Sequence, residues 1–261
     1  VHFDARLSAS DVGWKVVAVS ASDLGAMGAT PRWMVLALSL PRADDDWVAD
    51  FARGLGDAAA AFGVELVGGD TTRSPGPRVA TITMGGPCPR PVRRSGARPG
   101  DDLWVTGAPG LAGAGWWLAD PPADALVALR RPRPPVALGV ALATSGLATS
   151  MMDLSDGLTS DLTRLARASG VAARVDVARL PAHPAVPTEH ALRLAAGGGD
   201  DYALVFTADA GSAETVQTLA ERLHERITRI GRIDAGSGVW FDGEPPPAPL
   251  FSHFDVGTGA P

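Results

Sequence analysis

Apolar residues recur at mixed three- and four-residue spacing through Val12, Trp14, Val16, Val17, Val19, Leu24 and Met27, behind Ser8-Ala9-Ser10-Asp11 and ahead of Gly28. That spacing predicts a helix of about five turns, opened by a hydroxyl or carboxylate cap and closed by glycine. After Pro31 the pattern changes to a continuous apolar run, Trp33 to Leu40, closed by Pro41, which predicts a buried strand. Asp44-Asp45-Asp46 then supplies a negative helix start, and Trp47, Val48, Phe51 and Leu55 share one face of a helix reaching Phe62. Strands over 64–68 and 79–86 complete an α+β unit.

Prolines at 87, 89, 91 and 99 suit neither a central strand nor a helix interior, so the segment Pro87–Pro99 is the predicted domain boundary, dividing the chain into 1–88 and 89–261. Beyond it the pattern predicts helices over 111–119, 135–147, 158–169 and 212–225. Strands are predicted over 103–107, 150–154, 173–177, 202–207, 228–233 and 238–242. Strands alternating with helices indicate a layered α/β domain. Pro245-Pro246-Pro247 opens a tail whose Leu250, Phe251 and Phe254 are expected to pack back onto the body.

At 261 residues, with 46% apolar and 20% charged positions, the chain is long enough for a substantial core in one or two domains. A net charge of −6 and scattered arginines argue against a nucleic-acid partner. No uninterrupted apolar run reaches the roughly 18 residues of a membrane span and no basic segment precedes an apolar one at the start, which leads us to expect a cytoplasmic protein without a membrane partner. The single cysteine, Cys88, lies between two prolines and excludes an internal disulfide framework. Of 23 basic residues only Lys15 is a lysine, so phosphate chemistry is expected to rely on arginine, backbone amides or metal. No Walker A sequence is present. The chain opens on Val1-His2-Phe3 without a methionine, which reads as an N-terminally truncated fragment.

The densest chemistry lies in Met151-Met152-Asp153-Leu154-Ser155-Asp156-Gly157-Leu158-Thr159-Ser160-Asp161, three carboxylates where a buried strand gives way to a helix. Small and hydroxyl residues leave the helix amides open to an anion, which Asp153 and Asp156 would repel unless divalent cations lay between. Gly68-Gly69-Asp70-Thr71-Thr72 and Gly197-Gly198-Gly199-Asp200-Asp201-Tyr202 are two further acidic corners, and the three suggest one shared site. Each also has a plainer account: an exposed helix carboxylate at Asp23, an Asx-turn at Asp70, an N-cap at Asp153 or Asp156, and a polar turn at Asp200-Asp201. Together they suit a reaction rich in carboxylates and lacking a nucleophile, since no Ser-His-Asp, Cys-His or zinc-type His pattern occurs. Magnesium-assisted phosphoryl transfer fits, and an acceptor that is itself a phosphate would need no general base.

These segments resemble the thiamine-monophosphate kinase family over essentially the whole chain. The resemblance rests on Val1-His2-Phe3, Ser22 to Pro31, Leu38-Ser39-Leu40-Pro41, Gly68 to Pro75, Arg94-Ser95-Gly96-Ala97-Arg98-Pro99-Gly100-Asp101, Asp153 to Leu158 and Gly198 to Thr207. Parts of it are shared with aminoimidazole-ribonucleotide synthetase, selenophosphate synthetase and the hydrogenase-maturation dehydratase. The resemblance implies an N-terminal α+β domain that dimerises with its symmetry mate, a layered α/β C-terminal domain, and ATP in the cleft. It implies ATP-dependent phosphorylation of thiamine monophosphate to the diphosphate by direct in-line transfer with several Mg²⁺ ions. It further implies Asp23, Asp70, Asp153 and Asp156 as metal ligands, Gly69, Arg94 and Ser155 at ATP, and His2, Asp200 and Phe251 at the thiamine substrate.

Three departures accompany the resemblance. The family's upstream Gly-Asp-Asp segment and Thr-x-Asp strand are missing, from which an inactive or poorly folded chain with exposed sheet edges and low solubility is expected. Its Gly-Gly-Glu-Asp-Tyr-Glu reads Gly198-Gly199-Asp200-Asp201-Tyr202-Ala203, and Phe251-Ser252 replaces an aromatic-Asp pair. Alternative readings are a kinase or synthetase for another small acceptor, and a non-catalytic homodimer that binds nucleotide or thiamine phosphate.

Overall fold

The computed structural model describes residues 3–250. Helix α1 (Ala9–Met27) begins as its sequence predicts: Ser8 and Asp11 form a reciprocal capping box, and Gly28 ends it in the left-handed conformation. Strand β1 (Trp33–Leu40) and helix α2 (Asp45–Phe62), capped by the Asp44 side chain, follow. Strands β2 (Glu65–Arg73) and β3 (Val79–Gly85) flank β1 in a three-stranded sheet of order β2-β1-β3. β2 runs five residues past its predicted end, because parallel pairing with β1 continues through Ala37↔Asp70 to Leu40↔Arg73 after a bulge at Met34/Val35. The expected acidic corner at Asp70 is therefore part of a strand. Gly69 permits this close pairing: a Cβ there would lie 2.2 Å from the Leu36 carbonyl oxygen.

The remaining chain builds a six-stranded sheet of order β5-β7-β4-β8-β6-β9. Its strands are β4 (Asp101–Thr106), β5 (Ala148–Asp153), β6 (Ala172–Val175), β7 (Leu204–Asp209), β8 (Ile227–Asp234) and β9 (Gly238–Phe241). Every ladder is antiparallel except β6–β9. The helices are α3 (Leu111–Trp117), α4 (Ala123–Arg130), α5 (Val136–Ser145), α6 (Leu158–Ser169), α7 (Thr188–Gly197) and α8 (Ala213–Arg222). Neither α4 nor α7 is predicted by the apolar pattern; each begins directly after a proline, Pro122 and Pro187.

Among the described residues four apolar cores hold these layers, the smallest of them joining α3, α4 and α7 through Ala114, Ala125 and Leu194. Leu7, Val12, Trp14 and Val17 meet Phe51, Leu55 and β1's Met34 and Leu38 under the small sheet. One face of the large sheet packs Leu103, Val105 and Val205 against α6's Leu158, Leu162 and Leu165. The other packs Trp104 and Phe206, stacked at 6.3 Å, against α5's Leu138 and Leu142 and α8's Val216. Helix α1 belongs to both halves. Its Gly25 meets α5 so closely that a Cβ on Gly139 would lie 2.1 Å from the Gly25 carbonyl oxygen, and Trp14 Nε1 donates to the Pro132 carbonyl at 2.9 Å. Among the described residues no helix is long and apolar enough to cross a membrane.

Candidate active site

Where α1 crosses the end of β5, Ser22 Oγ donates to Asp153 Oδ2 at 2.8 Å in a buried bond. Asp23 is the next residue along the helix. Desolvation pushes the Asp23 carboxyl above its ordinary range, with the Arg94 charge opposing. Burial also raises Asp153, opposed chiefly by the Ser22 hydrogen bond; the Asp23 charge adds to the rise and Arg94 counters it. Arg94 is held in place through its backbone, whose carbonyl accepts from Ser169 Oγ at 2.7 Å at the end of α6. Asp23 is exposed and Asp153 buried, and two carboxylates that repel one another with one arginine charge to offset them leave this place short of positive charge.

The β5–α6 connection places Asp156 beside this pair. Arg164 Nη2 bridges to Asp156 Oδ2 at 2.6 Å and Arg164 also pairs with Asp161. Asp161, the third carboxylate of the motif, is wholly buried and accepts the Asp156 backbone N–H at 2.9 Å. Burial, reinforced by the Asp156 and Asp153 charges against that hydrogen bond and Arg164, pushes its pKa up to about 7. It therefore shapes the loop and does not face a ligand. Ser155 contributes its carbonyl oxygen, which accepts the Asp200 N–H at 2.8 Å.

That bond and Tyr202 N–H to the Leu154 carbonyl, also 2.8 Å, zip the 197–202 corner onto the 153–156 corner. The turn is tight: Gly199, Asp200 and Tyr202 all have positive φ. The two adjacent carboxylates find different partners. Asp201 is partly buried and accepts from the Gly110 and Ala112 amides at 2.7 and 3.2 Å, capping α3 from outside, and desolvation nevertheless pushes its pKa up to about 7. Asp200 accepts from Lys15 Nζ at 2.9 Å, from Tyr202 Oη at 2.7 Å and from Trp116 Nε1. Lys15 and Trp116 are site residues that the sequence reading passed over. A lone lysine inside an apolar helix stripe was the available signal for the first.

Two of the three acidic corners thus share one place. Asp70 and Gly69 lie on β2, every residue of which is exposed. His2 and Phe251 lie outside the described residues. Among the described residues no group of three or more His, Cys, Asp or Glu side chains is gathered closely enough to hold a metal alone. Magnesium is nonetheless compatible with the oxygen-only donors of Asp23 and Asp153, since it commonly takes one or two carboxylates and completes its shell with water and substrate phosphates.

Residues 1–87 match the family described as AIR synthase related protein, N-terminal domain, and residues 98–242 its C-terminal domain. The chain is 41% identical to a thiamine-monophosphate kinase of Escherichia coli K12, over 94% of this chain and 79% of that protein. It resembles the crystal structure of a thiamine-monophosphate kinase from Stenotrophomonas maltophilia K279a, with 43% identity, a TM-score of 0.84, and coverage of 94% of this chain and 82% of that one. A solved structure of AaThiL complexed with AMPPCP and TMP matches at 29% identity and a TM-score of 0.82, covering 94% of this chain and 81% of its own. With both matched regions in sequence order, and with that identity extending across the α1, β5–α6 and 197–202 segments that meet at the site, the chain belongs to the thiamine-monophosphate kinase family of AIR synthase-related proteins.

Proposed function

We propose that this chain transfers the γ-phosphoryl group of ATP to thiamine monophosphate, forming thiamine diphosphate and ADP. An oxygen of the acceptor phosphate bonds to the γ-phosphorus as the bond to the β-phosphate oxygen breaks. The acceptor's second pKa of about 6 leaves it ionised near neutrality, so this transfer needs no general base. The observation that carries the reading is the closure of the 153–156 corner onto the 197–202 corner under a single helix, α1, which reaches Asp153 through Ser22 and Asp200 through Lys15. The AaThiL complex with AMPPCP and TMP supports the same pair of ligands.

In this reading Asp23, Asp70, Asp153 and Asp156 would hold Mg²⁺. Bound magnesium would supply the charge neutralisation that brings two polyanions together. Arg94, Gly69 and Ser155 contact ATP, and the amides at the start of α6 face its phosphates. Asp200, with His2 and Phe251, receives the thiamine portion, where an aromatic face suits a cationic thiazolium. Residues 1–88 and 89–261 act as two lobes. Two copies of the first lobe associate through the three-stranded sheet, a reading supported by β2, whose nine residues are all exposed at a sheet edge. A cytoplasmic setting agrees with ATP as co-substrate.

The test is ADP release by the protein with ATP, Mg²⁺ and thiamine monophosphate. Equimolar ADP and thiamine diphosphate, dependent on both acceptor and metal, is the expected result. Nucleotide binding without turnover in verified folded protein would favour the non-catalytic reading, and turnover with a different phosphate acceptor would favour another branch.

A further inference from the structure

Lys15 is the only lysine of the chain, and its side chain is 6% exposed against 16% for its partner Asp200. Burial pulls its pKa down and the Asp200 charge holds it up. A buried ion pair adds little net stability over an apolar pair of similar volume, so its presence points to what it orients. Oδ2 of Asp200 is engaged by both Lys15 Nζ and Trp116 Nε1, whereas among the described residues Oδ1 accepts only from Tyr202 Oη. A carboxylate oxygen has about two lone-pair sites, leaving capacity at Oδ1 and none at Oδ2. Trp116 is itself fixed: the Arg6 guanidinium lies 4.1 Å from its ring centroid, and Arg6 Nη1 donates to the Trp116 carbonyl at 3.0 Å. Arg6 in turn is tied to Asp4, and its own carbonyl accepts from Arg130 Nε at 2.8 Å.

We propose that Lys15 and Trp116 are positioning residues that immobilise Oδ2 of Asp200 and so present Oδ1 to the thiamine portion of the acceptor. The inference rests on the reading of Asp200 as an acceptor contact. Lys15 comes from α1 and Asp200 from the 197–202 turn, so the acceptor site is complete only when the two halves of the molecule are in register. The nucleotide end of the site depends on neither side chain, and this separates a positioning role from a general structural one.

Isothermal titration of thiamine monophosphate and, separately, of a non-hydrolysable ATP analogue with Mg²⁺ tests this in the wild type, Lys15→Met and Trp116→Phe. Lys15→Met is expected to weaken acceptor binding at least about tenfold and Trp116→Phe at least about threefold, with nucleotide affinity held within about twofold. Unchanged acceptor affinity in both folded variants, or equal loss of both ligands, would overturn the inference. Should Lys15→Met fail to fold, Trp116→Phe, which keeps an aromatic side chain while removing the Nε1 donor and its five-membered ring, decides alone. Absence of acceptor binding by the wild type would overturn the kinase reading and this inference together, whereas wild-type binding with unaffected variants overturns only the latter.

Discussion

Asp153 carries the largest number of demands made on any side chain at the site. It is desolvated, repelled by Asp23 and steadied by Ser22 and Arg94. Asp153→Asn keeps the shape and the Ser22 contact while removing the charge that a divalent cation needs. A fall in kcat of about 10²–10³ is expected, measured as ADP release at saturating substrates, with Ser22→Ala intermediate. Asp201 makes a different prediction because it is desolvated beside two like charges, Asp200 and Asp161. Its folded-state pKa of about 7 lies above the ordinary carboxyl value of 3.8. The folded protein therefore binds this proton where the unfolded chain has lost it. Its contribution to stability is complete below the unfolded pKa and declines as pH rises toward the folded value. Thermal melts from pH 4 to 8 are expected to show wild-type stability falling by more than that of Asp201→Asn, the difference being on the order of a few kcal/mol. At this scale Asp153 and Asp156 were legible from their Asp-Leu-Ser-Asp-Gly-Leu setting. The partner of Lys15 was not, because 185 residues separate it from Asp200 and only the docking of α1 on the turn joins them.

The helices and strands divide by what fixes them. α1, α2 and α6 announce themselves through apolar spacing and local caps, and α6 has its predicted bounds. α4 and α7 are short, proline-led segments in which few large apolar residues mark a face. Leu129 and Leu194 become buried only through contacts with other elements. β2 exceeded its predicted length because a ladder to β1, and not side-chain alternation, holds Gly68 to Arg73 extended. The α1–α5 crossing rests on the absence of two side chains at Gly25 and Gly139. Gly139→Ala would press a methyl group onto the Gly25 carbonyl oxygen, an overpacking expected to cost about 1–3 kcal/mol in denaturant unfolding. Since α1 carries Ser22 and Lys15, acceptor affinity should fall with it.

At the scale of the molecule the exposed strand is the feature that calls for a partner. β2 presents Leu66 at 48% and Val67 at 61% exposure along an edge of the smaller sheet. Hydrophobic edge strands left uncovered invite association. A dimer through this edge predicts that Val67→Lys shifts the protein toward monomer in light scattering coupled to gel filtration without changing the melting of the six-stranded half. An unaltered dimer would place the contact elsewhere. The described residues form four packed cores, and a cooperative melt of residues 1–261 is the expected outcome in scanning calorimetry. The large sheet's layering was legible from alternation of strands and helices, whereas its antiparallel order was not, since ladder direction depends on which non-consecutive strands meet.

Lys15 and Asp23 lie eight residues apart on one uninterrupted helix, a rise of about 12 Å. On the proposed assignment of Asp200 to the acceptor and Asp23 to the metal, α1 would be a ruler between the point where the acceptor's head is held and the point where its phosphate must arrive. Acceptors would then be sorted by length before any chemistry begins: one whose phosphate sits nearer its ring would be gripped at only one end. Lengthening the helix by a single residue between the two marks would turn one of them about 100° away, and no local repair at either end would restore the measure.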